Sequence, residues 1–151
     1  MDGKCEHKYF VRLILIFIAI LALMIYWKSL FLADLLDTDA TVRCVYAELG
    51  VTDGNAYIDD SGVIILTAEE YADLADLFSE YSYHRTFQTP FSDGSLGELG
   101  DGILQVYVYQ EDQLLNSLII SSMNKISVNE KVYGLSNAVE LIEEVNQILQ
   151  G

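Results

Sequence analysis

The chain has 151 residues and a formal charge of −15 at neutral pH. That length allows one ordinary domain plus a short extra segment. The acidity excludes a nucleic-acid binder, because phosphate recognition needs a cationic footprint and the chain has none.

The charge is unevenly spread. Residues 1–33 hold four cations and two acids, whereas residues 34–151 hold four cations against twenty-one acids, net −17. The acidic part is not a disordered tail, since Val, Ile, Leu, Tyr and Phe recur through it and the acids are dispersed. Such a charge keeps a domain soluble and is compatible with a basic protein partner or with metal cations.

The first element in chain order is Leu13 to Trp27, fifteen apolar residues between Arg12 and Lys28. As a helix this run is about 22 Å long, short for a bilayer core of roughly 30 Å. Adding Tyr9–Val11 and Leu30–Leu32, with Arg12 and Lys28 snorkelling outward, predicts a membrane-spanning helix over residues 9–32. Tyr26 and Trp27 fall where an interfacial aromatic belt would place them. A cleaved signal peptide needs small residues at its cleavage site. Ala33 follows the run, but Phe31, two places before it, is large. An uncleaved anchor is therefore expected, marked by Arg12, Tyr26, Trp27 and Lys28. Lys4, Lys8 and Arg12 put residues 1–8 in the cytosol and the acidic part outside. This topology separates Cys5 from Cys44, so no internal disulfide is expected.

Residues 33–40, ending in DLLDTDA, read as a short acidic linker to a domain over 41–151. Thr41–Leu49 reads as a strand with Val42, Cys44 and Tyr46 on one face, Cys44 acting as a small buried hydrophobe. Gly50–Asn55 is expected to turn. Ala56–Asp59 and Val63–Leu66 suggest a hairpin around Asp60-Ser61-Gly62. Thr67–Glu80 is a clear helix, with a Thr67/Glu70 capping box and an apolar stripe through Tyr71, Leu74 and Phe78. Ser82–Gln88 reads as a strand and Thr89–Asp101 as a Gly- and acid-rich loop. Leu104–Gln110 and Leu114–Ser122 form a hairpin around Glu111-Asp112. Lys125–Asn129 and Lys131–Tyr133 form a shorter one. The last helix carries Ala138, Leu141, Ile142 and Val145 on one face, with Asn137 and Glu140 as a capping box. Two one-sided helices and several hairpins predict an α+β domain in two layers, an antiparallel sheet with both helices on one face. The opposite face should carry polar residues and some of the ten tyrosines.

A basic start, one anchor and an acidic region ending in ISVNEKVYGL and an amphipathic helix together resemble small membrane-anchored extracytoplasmic domains of unknown function from Gram-positive bacteria. The resemblance implies a cell-envelope location and no particular activity. Many such proteins are held by a lipid on cysteine; here no cysteine directly follows the apolar run.

Sites for chemistry are few. His84 is the one histidine beyond the apolar run, and no nucleophile-elbow motif accompanies it. Zinc needs more His and Cys than this region holds. Asp53, Asn55, Asp59 and Asp60, and separately Asp93, Glu98 and Asp101, offer oxygen ligands without the spacing of a calcium loop. No cofactor, metal or catalytic residue is therefore assigned. The stretch YSYHRTFQTPF is the most unusual, and Tyr81, Tyr83, His84, Arg85, Phe87 and Phe91 are the candidate interaction residues, since tyrosine and arginine anchor protein contacts. The expected function is non-catalytic: a membrane-anchored extracytoplasmic domain that binds a protein or envelope ligand. The alternatives are an acidic inhibitor or immunity-like protein for a basic enzyme or toxin, and an envelope hydrolase with an unrecognised site. The oligomeric state is open.

Overall fold

A computed structural model describes residues 3–37, 40–52, 55–60, 62–97 and 100–151. The first element is helix α1, Gly3–Tyr26. Within it Tyr9–Tyr26 is long and apolar enough to cross a membrane, and every residue from Tyr9 to Ile25 is exposed. Arg12 is the one charge in that stretch, so nothing but lipid or another apolar surface suits its sides.

The helix stops earlier than the expected residue 32. After Trp27 and Lys28 the chain extends as strand β1, Leu30–Phe31, and then turns through a short 3-10 helix, Leu32–Leu35. The reason is that these apolar residues are taken by the domain's own core. Leu32 is fully buried, and Leu30, Leu35 and Leu36 pack against the same core. The expected linker is likewise tied down. The Asn116 side chain donates to the Leu35 carbonyl (2.7 Å), and the Tyr71 hydroxyl donates to the Asp37 carbonyl (2.6 Å).

Strands β2 (Thr41–Thr52), β3 (Asn55–Asp60) and β4 (Ile64–Ile65) follow, then α2 (Ala68–Glu80) and β5 (Ser82–His84). The remaining elements are β6 (Gly102–Gln110), β7 (Gln113–Ser121), β8 (Lys125–Val128), β9 (Lys131–Leu135) and α3 (Ala138–Gln150). All strand pairs are antiparallel, in the order β1-β5-β9-β8-β7-β6-β2-β3, with β4 also on β2. The expected β3–β4 hairpin is not formed. Both strands lie along the same edge of β2, β3 against Ala47–Thr52 and β4 against Arg43–Cys44. The long β2 offers one continuous edge, and two short strands divide it. For the same reason β2 runs on through Gly50, where a turn was expected.

The two later hairpins fall where the turn residues place them. Glu111-Asp112 and Asn129-Glu130 all have positive φ, between 47° and 64°. That is the two-residue geometry whose twist matches antiparallel strands.

One core joins the sheet to both helices. Val42 and Cys44 of β2, Leu104, Val106 and Val108 of β6, and Leu118 and Ile120 of β7 meet Leu74 and Phe78 of α2 and Leu141, Ile142 and Val145 of α3. The other sheet face is polar and aromatic: Arg43 lies 4.4 Å over the Tyr109 ring, and the Tyr107 hydroxyl donates to Gln105. The chain therefore has an α+β fold, with both packed helices on one side of the sheet.

The capping box of α2 forms as expected, with the Glu70 amide donating to the Thr67 hydroxyl and the Thr67 amide to the Glu70 carboxylate. That of α3 does not. Asn137 is left-handed (φ 56°), which swings its side chain away from the helix, and Asn124, from the turn between β7 and β8, accepts the Ala138 amide instead (3.0 Å).

Cys44 is fully buried, as its place on β2 predicts. Burial, with the Glu70 charge adding, pushes its thiol up from 9.0 to about 12. Only the thiolate reacts readily with thiol reagents. In a Cys5→Ser background, Cys44 should therefore resist such a reagent at pH 8 until denaturant is added. The folded value lies above the unfolded one, so the thiol's contribution to stability is complete below pH 9 and is lost as pH rises toward 12. Cys44→Val should flatten the fall in urea midpoint over that window. Rapid native-state labelling would show that the strand opens.

Candidate functional site

The stretch singled out in the sequence begins where α2 ends, and the structure separates its residues. Tyr81 caps α2, and its hydroxyl donates to Glu144 of α3 (3.0 Å), joining the two helices. Burial, then the hydrogen bond and charge of Glu144, push that phenol up to about 12. Tyr83 points into the core and meets Tyr133 edge to face at 5.0 Å, and burial raises its pKa as well. Both rings thus hold the fold together. His84 lies against Gly134 of β9, where a β-carbon would come 2.5 Å from its Nε2. The glycine leaves the slot that the imidazole fills.

The expected strand through Gln88 ends at His84. Beyond it, side chains replace a strand at the edge of β9. The Thr89 hydroxyl donates to the Val132 carbonyl (2.7 Å), and the Val132 amide donates to the Ser92 hydroxyl (2.9 Å). Buried backbone groups need partners, and two hydroxyls suffice here. Thr89 is itself buried and also accepts the Thr86 amide (2.8 Å). A single 3-10 turn, Thr89–Phe91, follows, with Pro90 in its first positions. The Lys131 ammonium donates to the Ser92 carbonyl and the Lys125 ammonium to the Leu96 carbonyl. The loop from Arg85 to Leu96 is therefore a built element, fastened to β8 and β9. Residue-by-residue reading missed Thr86, Thr89 and Ser92. The signal was Thr-Phe-Gln-Thr-Pro, with a hydroxyl three residues back from another and a proline that starts a helical turn.

This loop meets the end of α1. The Tyr26 hydroxyl donates to the Thr86 carbonyl (3.0 Å), and the Arg85 guanidinium reaches back to the Tyr26 carbonyl (3.4 Å) and stands 5.8 Å from the Tyr26 ring. The last carbonyls of a helix lack partners within it, and a cation there also complements the helix dipole. Trp27 packs edge to face on Phe87 at 5.2 Å. Arg85 and Phe87, two of the candidate interaction residues, thus grip Tyr26 and Trp27, two of the anchor residues. Arg12 is fourteen residues back along α1, and Lys28 is exposed just past its end.

Phe87 and Phe91 project outward, 75% and 88% exposed. With Leu96 and Val132 they line one open groove. Two further open grooves lie on the helix layer and are acidic, lined between them by Glu69, Glu70, Asp73, Glu80, Glu140 and Glu144. Among the described residues no group of three His, Cys, Asp or Glu could hold a metal ion. The side chains of the first acidic set, Asp53, Asn55, Asp59 and Asp60, lie outside the described ones, as does Glu98 of the second.

No protein-family model, no curated protein and no solved structure matches the chain.

Proposed function

We propose that the chain is a single-pass membrane protein: residues 1–8 face the cytosol, Tyr9–Tyr26 of α1 spans the bilayer, and the acidic α+β domain lies outside, where it binds a protein or envelope ligand without catalysis. The observation that carries the membrane reading is the junction. A helix exposed along its whole apolar length leads directly into Leu32, which is fully buried in the domain. Cleavage after Ala33 would remove β1 and Leu32 from the fold, which favours an anchor that stays. The eighteen residues Tyr9–Tyr26 span about 27 Å as a helix, close to a bilayer core, with Trp27 at the boundary. Lys4, Lys8 and Arg12 at the start of α1, against Lys28 and then a run of acids after it, support the stated orientation.

Alkaline carbonate washing of membranes is the direct test. The chain should stay in the pellet, and protease added to wall-stripped cells should digest the domain. Release by carbonate, or a mature chain that begins beyond Ala33, would refute the reading.

One observation favours a basic protein as the ligand: the acidic grooves over α2 and α3 are open. This is the inhibitor or immunity-like reading, and it requires an affinity that falls steeply with salt. An affinity unchanged from low to high ionic strength would remove it and leave an uncharged contact.

A further inference from the structure

We infer that Phe87 and Phe91 form a second membrane contact, a pair of aromatic rings that enters the bilayer interface beside α1 and fixes the domain on the lipid surface. The inference rests on the membrane reading above and adds to it an orientation of the domain.

Three observations lead there. First, both rings are held out in water by a loop whose backbone is pinned to β9 through Thr89 and Ser92. A fastened loop that presents two large apolar side chains in one patch is the kind of surface that marks a protein or membrane contact. Second, the patch continues the apolar surface of α1. Trp27 follows the helix directly and its ring touches Phe87. Phe31, 49% exposed, lies on the edge strand next to β5. Trp27 suits the headgroup region, and phenylalanine rings beside it would bury at the boundary between headgroups and acyl chains. Third, the charge fits. The domain from residue 34 onward has four cations, and three of them hold this loop or the helix end: Arg85 on Tyr26, Lys131 on Ser92 and Lys125 on Leu96. Lys28 adds a fourth, exposed just past the end of α1. Among the described residues Asp93 is the one acid lining the groove, and its carboxylate accepts the Ser95 amide. The strongly acidic remainder is repelled by anionic headgroups, so this corner is the part of the domain that can approach them.

Tryptophan fluorescence of the full chain in phosphatidylcholine vesicles, with lipids brominated near the top of the acyl chain, tests this. Trp27 is the only tryptophan, so Phe91→Trp in a Trp27→Phe background gives a single reporter. Its emission should be blue-shifted and quenched to an extent similar to that of native Trp27. Val63→Trp in the same background reports from an exposed position next to β4, at the opposite end of the sheet. It should emit as in water and escape quenching. Quenching of native Trp27 alone, with the Phe91→Trp reporter solvated, overturns the second contact and leaves the anchor intact. Equal quenching at positions 63 and 91 overturns it too, since the domain would then lie on lipid without a preferred face. An unquenched native Trp27 overturns the anchor itself. Matching far-ultraviolet circular dichroism shows that the variants are folded.

Discussion

Leu32→Ala should lower the unfolding free energy by about 2–5 kcal/mol, the range for a fully buried leucine whose site collapses incompletely. Against a total of roughly 5–15 kcal/mol for a domain, that is a large loss. Leu32 has no exposed surface, and its amide donates to the Tyr81 carbonyl at the end of α2 (3.1 Å). Phe31→Ala is the internal control: that ring is half exposed, so its removal should cost far less. The same logic predicts the behaviour of fragments. One that starts at Ser29 keeps β1 and Leu32, whereas one that starts at Asp34, the product of cleavage after Ala33, loses both. Urea midpoints should therefore be clearly lower for the shorter fragment. Equal midpoints would detach residues 29–33 from the fold and make a cleaved signal sequence acceptable again.

That result turns on the part of the fold least legible from sequence. Leu30, Phe31 and Leu32 follow an apolar run, and composition alone does not distinguish a leucine that faces lipid from one that faces a protein core. Only long-range partners, Ser82 and Tyr83 on β5, decide it. Local chemistry read well where it was self-contained. The Thr67/Glu70 box closes within one turn of helix, and Glu111-Asp112 turns directly between the adjacent strands β6 and β7. The Asn137/Glu140 box has the same residue spacing, yet a left-handed backbone at Asn137 disables it and a distant Asn124 replaces it. Strand partners beyond the nearest hairpin were likewise hidden: β3 and β4 both chose β2 rather than each other.

The candidate site was legible as a stretch and not as a set of roles. A strand over Ser82–Gln88 would alternate Tyr83, Arg85 and Phe87 onto one face. The strand ends at His84, so Tyr83 goes inward, Arg85 goes to the carbonyl of Tyr26, and Phe87 goes to Trp27. What sends them apart is the pair of hydroxyls that occupies the edge of β9, an interaction across some forty residues.

Gly94→Ala tests how firmly that loop is seated. Gly94 has φ +87°, and a β-carbon there would stand 2.8 Å from Cα and 3.2 Å from the carbonyl carbon of Glu130. Those are backbone atoms of a tight turn that itself has positive φ, so they cannot yield as the tip of a side chain would. The positive φ alone costs an L-residue about 1–2 kcal/mol. Forced contact adds about 1–3 kcal/mol. Gly97→Ala separates the two costs, because Gly97 has φ +73° and nothing among the described residues within 4 Å of the added carbon. Its urea midpoint should fall by the conformational cost only, and that of Gly94→Ala by distinctly more. Amide exchange should respond in the same order. In Gly94→Ala the amide of Val132 loses protection as Ser92 is drawn off β9, while in Gly97→Ala it stays protected. If Val132 remains protected in both variants and the midpoints match, the loop yields without leaving the sheet, and the fixed projection of Phe91 loses its mechanical basis.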